Sequence, residues 1–255
     1  LRDRGYDVTY LEADTFGDAL DRYFEANPGD DLVGVQSPSH GADARRRELV
    51  TDRGGALTLV ENDLFVTTRA TFDEWAGDDD RLTHESFYRF MRRETGYLMA
   101  DGSPVGGEWN YDDQNRETPP DGYQPPAAPA FEVDETTAEV REWVADEFAG
   151  GYDEPPYGGD WADPETLTAP GRFRWPVTRR QACLTLDRFA TERLDHFGPY
   201  QDAMLDAEWS LNHSLLSVPI NLGLLHPTEV IERVIEEYHE RDAPLNSVEG
   251  FVRQV

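Results

Sequence analysis

The sequence predicts an α/β domain followed by an all-helical domain, joined by an irregular connector. Three observations predict this. Short β-type runs alternate with amphipathic helical stretches up to about residue 65. Stretches rich in Pro, Gly and Asp fill much of residues 100–175. From Trp175 onward the apolar residues recur at helical spacing. The expected bounds are residues 1–100 for the α/β domain, 101–174 for the connector and 175–255 for the helical domain. Both domains read as incomplete. The chain has no initiator Met, opens like the tail of a helix ending at Gly5, and closes inside a helical pattern with no stop signal.

In the first domain, Asp7–Leu11 alternates like a strand, and Thr15 to Ala26 carries the helical stripe Phe16, Ala19, Leu20, Tyr23 and Phe24. Leu32–Val35 is a short apolar run of the kind a buried strand shows. An Arg-rich helix from Ala42 to Asp52 ends at Gly54-Gly55, and Ala56–Val60 is a further strand. Strands and helices in alternation imply a parallel sheet with helices on its faces. No G-x-G-x-x-G follows any of these strands, so the dinucleotide fingerprint is absent. A helix from Thr83 to Glu94 closes at Gly96, and another runs from Asp134 to Phe148. In the second domain, Thr178 and Gln181 make a capping box, and Ala182, Leu186, Phe189, Ala190, Leu194 and Phe197 form one stripe. Gly198-Pro199 is expected to stop that helix. Pro227 suits the first position of the next helix, lined by Val230, Ile231, Val234, Ile235 and Tyr238. Asn246 reads as the cap of a last helix, with Glu249 three residues on.

The 255 residues hold 52 Asp and Glu against 23 basic residues, a net charge of −29. All the bases are Arg. Such charge at low hydropathy often means disorder, but 12 Phe, 11 Tyr and 6 Trp argue for packed cores. An acidic, Lys-free folded chain fits a salt-loaded cytosol, where surface carboxylates keep proteins dissolved, so the expected location is the cytoplasm. The acidity counts against a nucleic-acid partner. In molar salt, where the Debye length is about 3 Å, a local Arg patch can still choose one. No stretch approaches the roughly 18–20 apolar residues of a membrane span, and no signal peptide opens the chain. The single Cys183 excludes an internal disulfide and an all-cysteine metal site; a buried inert thiol is its simplest reading. The six histidines have no paired ligand spacing. Arg172, Arg174, Arg179 and Arg180 form the densest basic cluster of the second half and can meet phosphates.

Three motifs can carry chemistry. The Pro-x-Gly-Gly-x-Trp-Asn-Tyr-Asp stretch at 104–112 is a Gly-rich turn presenting an aromatic pair; a structured loop with Trp109 and Tyr111 anchored in a core explains it equally well. Next, Phe197–Met204 is followed by His213-Ser214-Leu215-Leu216-Ser217. Two serines three apart with a His beside the first can aim hydroxyls at an anion such as a pyrophosphate, or they can simply cap helices. Asn221 and Gly223 follow, the glycine permitting close backbone approach.

In order, these segments resemble one family, the photolyase–cryptochrome flavoproteins, and within it the prokaryotic deoxyribodipyrimidine photolyase-related branch of (6-4) photolyases and iron–sulfur cryptochromes. Phe87–Met99, residues 104–112 with Asn115-Arg116, residues 197–204, residues 213–217 with Asn221 and Gly223, and Asn246–Gln254 carry the resemblance. It implies that the helical domain binds FAD. Tyr200, His213, Ser214, Leu215, Leu216 and Ser217 match the positions that hold the FAD phosphates, with His213 replacing the family's Thr. Asn221 and Gly223 fall beside the flavin, and Glu249, Arg253 and Gln254 on the helix that faces flavin and lesion.

The implied activity is light-driven electron transfer from reduced FAD to a pyrimidine photoproduct in UV-damaged DNA. The alternative is a cryptochrome-type photoreceptor with the same flavin and no repair. A [4Fe-4S] cluster held by four cysteines and an antenna chromophore are implied only for a longer protein. The histidine proton donor of (6-4) repair matches none of the six here. The expected oligomeric state is a monomer, and no catalytic residue is assigned.

Overall fold

A computed structural model describes residues 2–78, 80–148, 172–206 and 208–255. The second Gly/Pro/Asp stretch, from Gly150 to Gly171, lies outside the described residues. The chain divides into two compact units, Leu1–Ala70 and Thr71–Val255.

The first unit contains α1 (Phe16–Ala26), β1 (Leu32–Val35), α2 (Ala42–Thr51) and β2 (Leu57–Val60). Thr15 caps α1 by accepting the Asp18 N–H at 3.1 Å. The two strands are parallel, Leu32 opposite Leu57 and Val35 opposite Val60. Leu20, Phe24 and Val50 form the core, with Tyr23, Leu32, Leu49 and Leu57 packed on it. Arg53 ties the two helices: its guanidinium donates to Asp21, to the Leu49 carbonyl and to the Gly17 carbonyl. The strand expected at Asp7–Leu11 does not form. No described strand runs beside these residues, and Tyr10 is 77% exposed. Alternation without a ladder partner does not make a strand.

α3 (Arg69–Ala76) starts at the end of the first unit; in the second, its Phe72 and Trp75 form an aromatic cluster with Phe87 and Phe90 of α4 (His84–Thr95). Thr83 caps α4, and Gly96, with φ +76°, closes it. A hairpin of β3 (Met99–Ala100) and β4 (Ser103–Pro104) follows. The chain then runs to β5 (Phe131–Glu132), which pairs antiparallel with β6 (Arg172–Phe173); α5 (Glu135–Phe148) lies between them in sequence. The Thr178–Gln181 capping box opens α6 (Arg179–Arg188). A π-helical turn, Phe189–Arg193, continues into α7 (Leu194–Tyr200). Then come α8 (Ser217–Asn221), α9 (Pro227–Arg241) and α10 (Leu245–Gln254). Phe189, Phe197 and Phe251 pack ring on ring at 4.6–5.6 Å, and Val230, Val234 and Val248 are also buried.

Two boundary expectations are corrected. Gly198-Pro199 does not stop a helix; α7 runs through both to Tyr200. A proline strands the carbonyl four residues back, in this case that of Asp195. The Ser247 hydroxyl of α10 donates to that carbonyl at 3.4 Å and accepts the Gly198 N–H at 2.9 Å. The capping box expected at Asn246 and Glu249 does not form either. The helix starts two residues earlier, after Pro244, and Asn246 exchanges amide hydrogen bonds with Asn115.

The α7–α10 contact is close enough to require glycine. A Cβ on Gly198 would lie 2.7 Å from the Ser247 hydroxyl and 2.8 Å from the Asn115 side chain and from the Ser247 Cα. Gly198→Ala is therefore expected to destabilise the second unit by about 1–3 kcal/mol, seen as a lower urea midpoint at unchanged slope.

Candidate functional site

The residues singled out from the sequence fall into two clusters. The first surrounds the segment after α7. The Tyr200 ring stacks on His196 at 5.8 Å and 14°, and meets Tyr123 edge-on at 5.1 Å. Tyr123 and Asn212 exchange hydrogen bonds: the hydroxyl donates to Oδ1 at 3.1 Å and Nδ2 donates to the hydroxyl at 2.8 Å. Asn212 leads into His213, whose ring edge faces Phe197 at 6.3 Å. Partial loss of water, reinforced by the Arg193 charge, holds the His213 imidazole below its ordinary pKa. The Ser214 hydroxyl accepts the Leu216 N–H at 3.4 Å. Leu215 takes a left-handed backbone, φ +59°, and Leu216 is buried. Ser217 begins α8, and Asn221 ends it at an exposed position. Gly223 has φ +66°, and Leu222 beside it is exposed.

Arg193 lies behind this loop and was not singled out from the sequence. Its guanidinium donates to the carbonyls of Pro126, Leu211 and His213 and to the Ser210 hydroxyl. The signal was present: Arg193 falls on the apolar stripe between Phe189 and Phe197, where only a residue with internal partners can sit. Of the expected Arg cluster, Arg179 makes a two-pronged pair with Glu229, and Arg174 stacks over Trp209 at 3.9 Å. His226, read as one of six scattered histidines, caps α9 by accepting the Thr228 N–H.

The second cluster gathers on α10. Glu249 is 0% exposed. Its carboxylate accepts the Tyr88 hydroxyl at 2.7 Å and the Tyr111 N–H at 3.1 Å, and Arg253 Nε is 3.6 Å away. Burial pushes the carboxyl above its ordinary pKa, against the pull of Tyr88, Arg253, the Tyr111 amide and Arg92. Burial and the Glu249 charge likewise raise the Tyr88 phenol. Arg253 grips Asp112 with both prongs, and that hydrogen bonding draws the Asp112 carboxyl below the ordinary aspartate range. Gln254 donates to Gln201 at 3.2 Å, linking α10 to the start of the first cluster. Trp109 packs under Arg89, Arg92 and Arg93 at 4.8–5.4 Å. Cys183 is half-buried. Among the described residues no three His, Cys, Asp or Glu side chains gather as a metal-binding group, and no helix is long and apolar enough to cross a membrane.

The model of the deoxyribodipyrimidine photo-lyase-related protein family matches residues 1–160. A (6-4) photolyase of Agrobacterium fabrum is 36% identical over the whole of this chain. The chain belongs to the deoxyribodipyrimidine photo-lyase-related family. It spans about half of that relative, 48% of its length. Two uncharacterized proteins of Acanthamoeba polyphaga mimivirus are also similar: one is 27% identical over 47% of this chain and 64% of its own length, the other 37% identical over 22% and 44%. In this photolyase-related chain both motif-bearing clusters lie in the second unit, joined by the Gln201–Gln254 hydrogen bond.

The buried Glu249 and the half-buried Asp112 set opposite pH dependences. Glu249 has a raised folded pKa, so its contribution to stability falls as pH rises through the window above the ordinary value of about 4.3. Asp112 has a depressed one. Its contribution is present above the ordinary value of about 3.9 and is lost as pH falls through the depressed value. Asp112→Asn should therefore flatten the acid limb of the urea midpoint plotted against pH. Glu249→Gln keeps an acceptor for the Tyr111 N–H, and its amide can donate to the Tyr88 oxygen, so a change within about 1 kcal/mol is expected. Glu249→Ala leaves two buried donors without an acceptor and should cost about 1–3 kcal/mol for each.

Proposed function

We propose that this chain forms the flavin-phosphate-holding part of a light-driven photolyase that repairs UV-induced pyrimidine photoproducts in DNA. One observation carries the reading: the match to a (6-4) photolyase, 36% identical, covers the whole chain and is not confined to the first unit. The donor set fits a pyrophosphate. Among the described residues the Ser214 hydroxyl accepts one long backbone contact, which leaves its proton available to an anion. Ser217 is exposed at the start of α8, and the Arg193 guanidinium behind the loop touches no acid oxygen among the described residues.

In this reading Ser214 and Ser217 donate to the FAD phosphates with the His213 ring beside them. Leu215 and Leu216 shape the turn, and Tyr200 closes its side. Asn221 and Gly223 lie toward the isoalloxazine ring, the glycine allowing close approach. Arg253 and Gln254 face the same cofactor from the end of α10. Glu249, with both oxygens taken by protein donors, braces the helix that presents them. When bound and reduced, FAD supplies a photoexcited electron to the lesion and receives it back after the bonds rearrange. The damaged nucleotide must leave the base stack to reach it. DNA phosphates reach so acidic a protein through local Arg patches, in high salt.

The test is absorption and repair. Protein purified at high salt should be yellow, and its flavin bands should bleach under blue light with reductant. It should then restore a duplex carrying a defined (6-4) photoproduct. Loss of bound flavin in the double variant Ser214→Ala, Ser217→Ala, with folding intact by circular dichroism, is the expected companion result. Bound flavin without repair of any photoproduct would favour the photoreceptor reading. A folded but colourless protein would end both.

A further inference from the structure

Arg193 is a cation inside a protein, 2% exposed, and its hydrogen-bond partners among the described residues are uncharged oxygens. Burial pulls its pKa down, although a guanidinium stays charged. Enclosing such a charge with no acid in hydrogen-bond contact among the described residues is costly, and the cost is offset by well-aimed acceptors. The acceptors are specific. Nη1 donates to the Leu211 carbonyl at 3.0 Å and the His213 carbonyl at 3.1 Å. Nη2 donates to the Pro126 carbonyl at 2.6 Å, and both reach the Ser210 hydroxyl at 3.5 Å. One planar fork thus joins a connector residue to three residues of the loop.

The loop needs such a hold. Leu211 (φ +38°) and Leu215 (φ +59°) both take left-handed backbones, which a side chain larger than glycine adopts only when its surroundings impose it. Ser210, Leu211 and Asn212 are buried, while His213 and Ser217 are exposed and Ser214 is half-buried. The π-helical turn that ends at Arg193 adds one residue to the helical ladder, the Leu194 N–H bonding the Phe189 carbonyl. Such insertions recur where a helix must aim one side chain.

We propose that Arg193 is the positioning residue of the phosphate loop: by fixing the Leu211 and His213 carbonyls from behind, it sets the placement of Ser214 and Ser217 and so the affinity for a pyrophosphate-bearing cofactor. This rests on the flavin reading above. It is tested in the full chain with Arg193→Lys, which keeps the charge and loses the fork, and Arg193→Met, which loses both. The double variant Ser214→Ala, Ser217→Ala serves as the direct-contact control. Two quantities are read: hydrogen exchange of residues 210–217 in flavin-free protein, and FAD affinity by fluorescence titration.

Both Arg193 variants should speed exchange in the loop while α9 and α10 stay protected. They should also weaken FAD by about tenfold or more, the factor that roughly 1.4 kcal/mol represents. The serine pair should weaken FAD without changing exchange. If Arg193→Lys leaves loop exchange and FAD affinity at wild-type values while the serine pair weakens binding, the positioning role is wrong and the phosphate reading stands. If Arg193→Lys loosens the loop and neither it nor the serine pair alters FAD affinity, the loop is not the phosphate site, and both fall. Should Arg193→Met fail to fold, the lysine variant decides.

Discussion

The second unit is tied together by polar groups buried along α10. Asn246 exchanges amide hydrogen bonds with Asn115, Ser247 completes the hydrogen bonding of α7 across Gly198 and Pro199, Glu249 takes the Tyr88 hydroxyl and the Tyr111 amide, and Arg253 holds Asp112. Apolar contacts among Phe189, Phe197 and Phe251 supply bulk attraction without direction. The hydrogen bonds supply direction, because a buried donor left without its acceptor costs more than a misplaced methyl group. They fix the rotation of α10, and with it the side on which Arg253 and Gln254 emerge.

A second device recurs in the irregular segments. Arg92 donates to the carbonyls of Tyr97, Leu98 and Trp109, and Arg193 to those of Pro126, Leu211 and His213. In each case one carbonyl belongs to a leucine with a left-handed backbone, Leu98 at φ +50° or Leu211 at φ +38°. A planar guanidinium with five donors suits this task; an ammonium, compact and strongly hydrated, does not. In a chain whose bases are all arginine, at least two of them serve as internal scaffolding rather than as surface charge. The acidic balance of the whole sequence therefore says little about what any one arginine does.

Local order was legible in the sequence because its causes are local. Thr15, Thr83 and Thr178 cap helices where their spacing places them, Gly96 closes α4, and Leu32–Val35 and Leu57–Val60 form the parallel pair. The resemblance to the photolyase-related family was also readable, since a motif is a string of neighbours. Residues 7–11 show the limit: they alternate correctly and have no ladder to join.

What only the tertiary structure decided involves residues that are distant in sequence. Pro199 sits within a helix because Ser247, 48 residues on, serves the carbonyl and the amide that the turn leaves over. Asn246 gives up a capping role because Asn115 offers two hydrogen bonds instead of one. Glu249 reads as a capping acid in sequence, and burial beside Tyr88 makes it an interior brace. Arg193 stood in plain view on an apolar stripe, but its partners lie in two other segments. Sequence patterns report the preferences of neighbours; the partner of a buried polar group is settled by which distant group can reach it once water is excluded.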